Sequence, residues 1–88
     1  SNTRDIFLSC IVDENERTFV FNENKQSFYE AIGLDKFNYS VKFSKTHIFA
    51  SNEERDEILI NRVSGTTTFT RDSKISEGKC SLLDQTKF

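Results

Sequence analysis

The chain has 88 residues, a length that fits one small domain. Of its residues 35% are hydrophobic, with nine Phe and neither Trp nor Met, so its core depends on phenylalanine. Its formal net charge is −2, and both signs are interspersed. No basic stripe exists to bind phosphates, which argues against nucleic acid as the partner. No apolar run approaches the ~20 residues of a membrane-spanning helix, which excludes a helical span.

Alternation of apolar and polar residues runs through most of the chain. It is clearest over residues 37–43, where every second residue is apolar. The same pattern predicts strands at residues 6–12, 18–22, 37–44, 46–50, 58–63 and 66–71. Short polar connections separate these strands, and short connections favour antiparallel neighbours in a meander.

Residues 24–33 allow two predictions. One is a short helix, with Asn24 as its N-cap, an apolar face that includes Phe28, and Gly33 at its end. The other is a strand at residues 26–30, because short apolar runs cannot be assigned by periodicity alone. The predicted fold class is therefore all-β, with at most one short helix. It is an antiparallel meander of six to seven strands that forms a small barrel or sandwich.

The start of the chain bears on the expected location. Ser1-Asn2 is typical of the remnant that a protease leaves after removing a purification tag, so we expect one β domain at residues 3–88. Because this small chain contains no Met, we expect that a signal peptide preceded it and has been removed. This predicts a periplasmic or secreted protein. The alternative is that another domain precedes it.

Cys10 lies in the first predicted strand and Cys80 in the last segment. A pair near opposite ends of a small exported domain predicts one disulfide. The alternative is two reduced thiols in a cytosolic protein. A zinc site needs four clustered ligands, and this chain has only two Cys and one distant His, so we expect no metal site. No sequence motif predicts a cofactor.

Catalysis is not expected from these residues. Half of the acidic residues, seven of 14, fall in two polar turns, at residues 13–16 and 53–57, where charges are usually solvated. The single His47 has no specified nucleophile or orienting carboxylate. The competing prediction is a small hydrolase that uses His47 and an acidic residue of the 53–57 turn.

The stretch LINRVSGTTTFTRD, residues 59–72, predicts a hairpin because Gly65 suits a tight turn between two β-rich runs. Arg62 is expected either to pair with an acidic neighbour or to lie over Phe69. The functional hypothesis is a recognition loop, in which Arg62 and Phe69 flank an exposed tip at Ser64 and Gly65.

Two family resemblances bear on function. The chain resembles a loose group of small bacterial exported β-domain proteins in Cys10, in INRVSG at residues 60–65 and in EGKCSLLDQTKF at residues 77–88, which has Gly-x-Cys and a terminal Phe. That resemblance implies an exported β-rich domain without an established activity.

The chain also resembles the periplasmic inhibitors of c-type lysozyme. Those are small antiparallel barrels with a Cys in the first strand, a Cys near the end, and a Ser-Gly-x-x-Tyr loop that enters the enzyme cleft. Ser64 and Gly65 match the loop, whereas Phe69 comes one residue after the Tyr position. The resemblance therefore implies a role for Ser64 and Gly65 alone.

The expected function is a non-enzymatic exported domain that binds another protein of the envelope or the extracellular space. One alternative is an inhibitor of a lytic enzyme. Another is a structural subunit that assembles through a sheet edge, since residues 66–70 carry neither Pro nor charge. The oligomeric state is left open.

Overall fold

The protein folds into a closed antiparallel β-barrel of eight strands, seen in a computed structural model that describes residues 4–83. The strands are β1 (Ile6–Val12), β2 (Asn15–Asn22), β3 (Ser27–Ile32), β4 (Asp35–Phe43), β5 (His47–Ser51), β6 (Glu57–Asn61), β7 (Thr66–Arg71) and β8 (Lys74–Leu82). Each strand pairs with the next, and β8 returns to pair with β1. The described residues contain no helix, and therefore none that is long and apolar enough to cross a membrane.

The predicted all-β meander and the small barrel are confirmed, whereas the predicted number of strands was too low. The barrel has eight strands rather than six to seven. The difference arises at residues 24–33, where one prediction was a helix, and after residue 72, where no strand was predicted. The expected tag remnant at residues 1–2 and the terminal Phe88 lie outside the described residues.

Strand β3 occupies the segment for which a helix was one of two predictions. Phe28 and Glu30 point into the barrel, while the residues between and beside them are half-buried. A two-residue turn at 33–34 then reverses the chain, and Gly33 adopts a φ of 60° there. Pairing with both β2 and β4 decides in favour of the strand, because tertiary contacts override the weak local preference of a short apolar run.

Strand β8 escaped prediction because its inward face carries small residues instead of large apolar ones. Ser76, Gly78 and Cys80 alternate along it. Gly78 lies so close to β1 that an added Cβ would collide with the Ile11 backbone and come within 2.8 Å of Val12 Cγ2. The absent side chain therefore lets the last strand approach the first and close the barrel.

The barrel has two different ends. At one end, here named the packed end, lie the turns 13–14, 33–34, 52–56 and 72–73. At the other end, here named the mouth, lie the connections 23–26, 44–46 and 62–65. Aromatic rings fill the interior toward the packed end: the Phe19 centroid lies 5.4 Å from Phe28 and 5.8 Å from Phe69, and the Phe28 centroid lies 5.7 Å from Tyr39.

Candidate binding site at the mouth of the barrel

The mouth opens into a cavity of about 660 Å³. Its inner walls include the aliphatic residues Ile6, Leu8, Ile48 and Ile60, and polar and charged residues line it as well. The four aliphatic residues occupy inward positions at the strand ends, where no large ring fills the barrel. A concave, mostly apolar space of roughly 300–1,000 Å³ is typical of a ligand site.

Phe21 and Cys80 complete the wall on two sides. The Phe21 ring packs against Phe43 with centroids 5.6 Å apart, so it lies along the wall and leaves the cavity open. Cys80 forms a disulfide with Cys10, with an S–S distance of 2.00 Å. The two cysteines are direct partners in the ladder between β1 and β8, so the bridge fastens the seam at which the barrel closes.

Charged residues form the rim of the mouth. Arg62 donates two hydrogen bonds to the Glu23 carboxylate, at 2.9 and 3.3 Å, and a third to the Ser44 carbonyl at 2.7 Å. One side chain thereby joins all three connections at this end. The hydrogen bonds from Arg62 lower the pKa of Glu23 below its usual value.

The turn at residues 62–65 lies beside the cavity and is held by hydrogen bonds to both the side chain and the backbone of Asn61. The Asn61 side-chain carbonyl accepts hydrogen bonds from the amides of Val63 and Ser64, at 2.9 and 3.0 Å. Gly65 adopts a φ of 82°, and its carbonyl accepts a bond from the Cys80 amide at 2.7 Å. A Cβ at Gly65 would lie 2.9 Å from the Cys80 carbonyl oxygen, so this glycine is structurally required.

Three of the four predicted site residues come together at the mouth. Arg62 and Gly65 line the cavity, and Ser64 is exposed between them. Phe69 does not join them, because it points into the barrel interior and is only 5% exposed. The guanidinium that lies over its ring belongs to Arg17, whose Cζ is 3.9 Å from the ring centroid. Of the two expectations for Arg62, the ion pair is therefore the one observed.

His47 and the acidic 53–57 turn lie at opposite ends of β5. The strand from His47 to Ser51 spans about 13 Å at ~3.3 Å per residue. At the mouth end, His47 Nδ1 lies 2.8 Å from Thr46 Oγ1. The structure therefore does not bring together the residues that the hydrolase alternative requires. Over residues 4–83, no three His, Cys, Asp or Glu side chains are grouped to hold a metal ion.

The packed end contains a charged cluster that the sequence analysis missed. Arg17 binds Glu30 through two hydrogen bonds of 2.6 and 2.8 Å. Arg71 binds Asp56 through two hydrogen bonds of 2.9 Å. The alternation itself contained the signal, because Arg17 has the same parity as the inward Phe19 and Phe21 of β2.

The same cluster shifts two pKa values. The hydrogen bonds from Arg71 lower the pKa of Asp56, despite an opposing effect of burial. Burial raises the pKa of Tyr39, and the nearby Glu30 carboxylate raises it further. These groups satisfy one another, and no buried side-chain nitrogen or oxygen in the described part of the chain lacks a hydrogen-bond partner. The ion pairs therefore cross the packed end, and a smaller hollow of about 340 Å³ remains beside them, with Arg17 and Arg71 in its lining.

Residues 67–70 offer no sheet edge, because each pairs with β6 on one side and with β8 on the other, and Thr66 pairs with β8 alone. The alternative of assembly through residues 66–70 thus finds a backbone that is paired on one side only at Thr66. The chain was also compared with known proteins: no protein-family model, no curated protein and no solved structure matches it.

Proposed function

We propose that the chain is a non-enzymatic binding domain that takes an apolar group of a partner protein into the mouth of its barrel. The observation that carries this proposal is the aliphatic cavity of about 660 Å³ at an end of the barrel that no aromatic ring fills. An apolar centre surrounded by a charged rim is the usual layout of a protein interface. The exposed Val63 and Ser64 extend this surface beside the cavity.

The proposal includes a location outside the cytosol, in the periplasm or the extracellular space. The disulfide between Cys10 and Cys80 supports it, because such bridges persist in oxidising compartments and are rare in the cytosol. A domain of this size also gains much of its stability from a bridge. Both features are typical of small exported domains.

The test uses peptides displayed on phage and selected on the wild-type protein. We expect the selected peptides to share an apolar anchor residue. They should lose binding to an Ile6→Asp variant, which places a charge in the mouth, and keep binding to an Ile75→Asp variant, which alters an exposed apolar residue far from it. Peptides that bind both variants equally well would refute the mouth as the site.

A second candidate is inhibition of a lytic enzyme. Two observations favour it: Ser64 and Gly65 lie in a turn at the mouth, and a disulfide links the first strand to the last, as the resemblance to lysozyme inhibitors implies. Substitution of Gly65 would disturb the turn, so Ser64→Lys is the better variant. Wild-type protein should inhibit c-type lysozyme and Ser64→Lys should not. Full lysozyme activity in micromolar excess of wild-type protein would eliminate this candidate.

A further inference from the structure

The β3–β4 hairpin projects beyond its neighbours at the packed end. Strand β4 pairs with β3 from residue 35 to 39, but its ladder with β5 begins only at Ser40. Residues 35–39 therefore have a strand neighbour on one side only. Every residue from Ile32 to Asn38 is exposed. Within the described chain, residues 15–17 of β2 and 74–77 of β8 also pair on one side only. Residues 35–39, here named the free edge, differ in adjoining a hairpin tip at which Leu34 is fully exposed.

Large apolar side chains are exposed on and beside the free edge, which also carries the charged Asp35 and Lys36. Leu34 is fully exposed at the hairpin tip, and Ile32 and Phe37 are about half exposed, at 53% and 49%. Native proteins commonly protect such edges with lysine or proline. Lys36 is the only lysine on the edge, and its Nζ lies 5.1 Å from the Tyr29 ring centroid, over the neighbouring strand. The backbone of the free edge is thus left open to pairing.

We propose that the free edge pairs antiparallel with the free edge of a second copy of this chain, with Phe37 on the two-fold axis. Successive residues direct their backbone groups to alternate sides of a strand. Two copies of one edge therefore pair only residues whose numbers have the same parity. Centring the pairing on Phe37 uses the whole free edge, places Phe37 opposite Phe37 and places Lys36 opposite Asn38.

The neighbouring registers are disfavoured by charge. A pairing centred on Lys36 places two lysines opposite each other, and one centred on Asp35 does the same with two aspartates. Like charges directly opposite each other destabilise a ladder. Pairing centred beyond Phe37 reaches Ser40, which is already paired with β5. Charge and available backbone together select the Phe37-centred register, and aromatic cross-strand pairs stabilise it.

This pairing would leave both mouths uncovered. The free edge lies at the packed end, and the mouth lies at the other end of the barrel. A dimer joined at the free edges therefore presents two binding sites that face away from the interface. Two sites on one particle raise the avidity for a partner that is itself repeated or surface-bound.

The test measures mass by sedimentation velocity on the 88-residue chain from about 10 µM to about 1 mM, since interfaces this small associate weakly. We expect the wild-type mass to rise from 10.2 kDa toward twice that value. Phe37→Lys and Phe37→Glu should each remain monomeric, because each places like charges on the axis. An equimolar mixture of the two variants should recover the dimer, because opposite charges then meet.

The control is Ile75→Lys, which replaces an exposed apolar residue on the β7–β8 hairpin at the same end and should dimerise like the wild type. Thermal unfolding of each variant checks that the barrel is intact. A wild-type protein that stays monomeric at about 1 mM would overturn the proposal. So would dimerisation of either Phe37 variant alone, no dimer in their mixture, or wild-type species larger than two chains.

Discussion

The packed end and the mouth bury their inward side chains in different ways. Toward the packed end, Phe19, Phe28 and Phe69 fill the barrel cross-section with rings whose centroids lie 5.4–5.8 Å apart. At the mouth, aliphatic residues on the same inward positions leave about 660 Å³ open. The barrel is closed around both sets of residues, so the larger open volume at the mouth follows from the smaller size of its inward side chains.

The ion pairs of the two ends differ in the same direction. At the packed end the carboxylates are buried, since the side chains of Glu30 and Asp56 are 8% and 5% exposed, although those of their partners Arg17 and Arg71 are 23% and 62% exposed. On the rim, the Glu23 carboxylate is itself 50% exposed and Arg62 is 29% exposed. A desolvated pair is costly to break because one charge stays buried without its partner, whereas an exposed pair contributes little. The Arg–carboxylate pairs therefore stabilise the fold at the packed end, whereas the pair on the rim can be altered at little cost in stability.

Breaking the seam should weaken both ends at once and have the largest effect. The bridge spans 70 residues, and in the chain-entropy model a loop of that length contributes about 4 kcal/mol. We expect Cys10→Ala combined with Cys80→Ala to lower the free energy of unfolding by about this amount in urea denaturation. Reduced wild-type protein is the control and should lose a similar amount. A loss below about 1 kcal/mol would contradict the role of the seam.

Replacing one Phe of the aromatic cluster and one Phe at the mouth should show how tightly each region is packed. We expect Phe28→Ala, in the fully buried aromatic cluster, to cost about 3 kcal/mol, because it leaves a cavity beside the rings of Phe19 and Tyr39. Phe21→Ala at the mouth should cost measurably less, because its ring already borders open space. Urea denaturation of both variants gives the comparison. Equal losses would show that the mouth is as tightly packed as the other end.

The sequence predicted those parts of the fold that depend on local pattern. Six strands follow from alternation, and the turn at Gly65 follows from a residue type that permits positive φ. Strand β8 could not be predicted, because its inward residues Ser76, Gly78 and Cys80 do not form a pattern of large apolar residues. Their small size instead permits the close approach of β8 to β1. That approach is a contact between the two ends of the chain, which no local window contains.

The candidate site was predicted only in part for the same reason. The sequence shows that one turn contains Arg62, Ser64 and Gly65, and the structure places these three residues together. Phe69 was grouped with them by sequence distance, although its parity directs it into the interior opposite Ile58. The cavity itself depends on the register between eight strands, which single-strand patterns do not specify.

The ion pair between the buried Asp56 and the exposed Arg71 should give the packed end a pH dependence. Arg71 lowers the pKa of folded Asp56 below its ordinary value of 3.8. The pair therefore stabilises the fold above about pH 3.8, and this contribution is lost as the pH falls through the lowered pKa. Asp56→Asn should cost about 1–2 kcal/mol at neutral pH, because it weakens two charged hydrogen bonds.

Urea denaturation at neutral pH and at successively lower pH measures both effects. The wild type should lose its advantage over Asp56→Asn as the carboxylate takes up its proton. Glu57→Gln is a suitable control, since Glu57 is exposed and next to Asp56 in the chain. An advantage that stays constant as the pH falls well below 3.8 would contradict the assignment.

The rim pair should give the smallest effect on stability and a visible effect on binding. Glu23→Gln removes the charge that faces Arg62. Because both side chains are partly exposed, we expect the free energy of unfolding to fall by less than about 1 kcal/mol, and this loss should shrink with added salt.

In the Glu23→Gln variant, the charge of Arg62 at the mouth is no longer neutralised. The anionic apolar probe anilinonaphthalene sulfonate should therefore bind Glu23→Gln several times more tightly than it binds the wild type, by fluorescence titration. Glu14→Gln, at an exposed turn of the packed end, removes an equal charge and should leave the affinity unchanged. If both variants raise the affinity equally, net charge and not the rim attracts the probe.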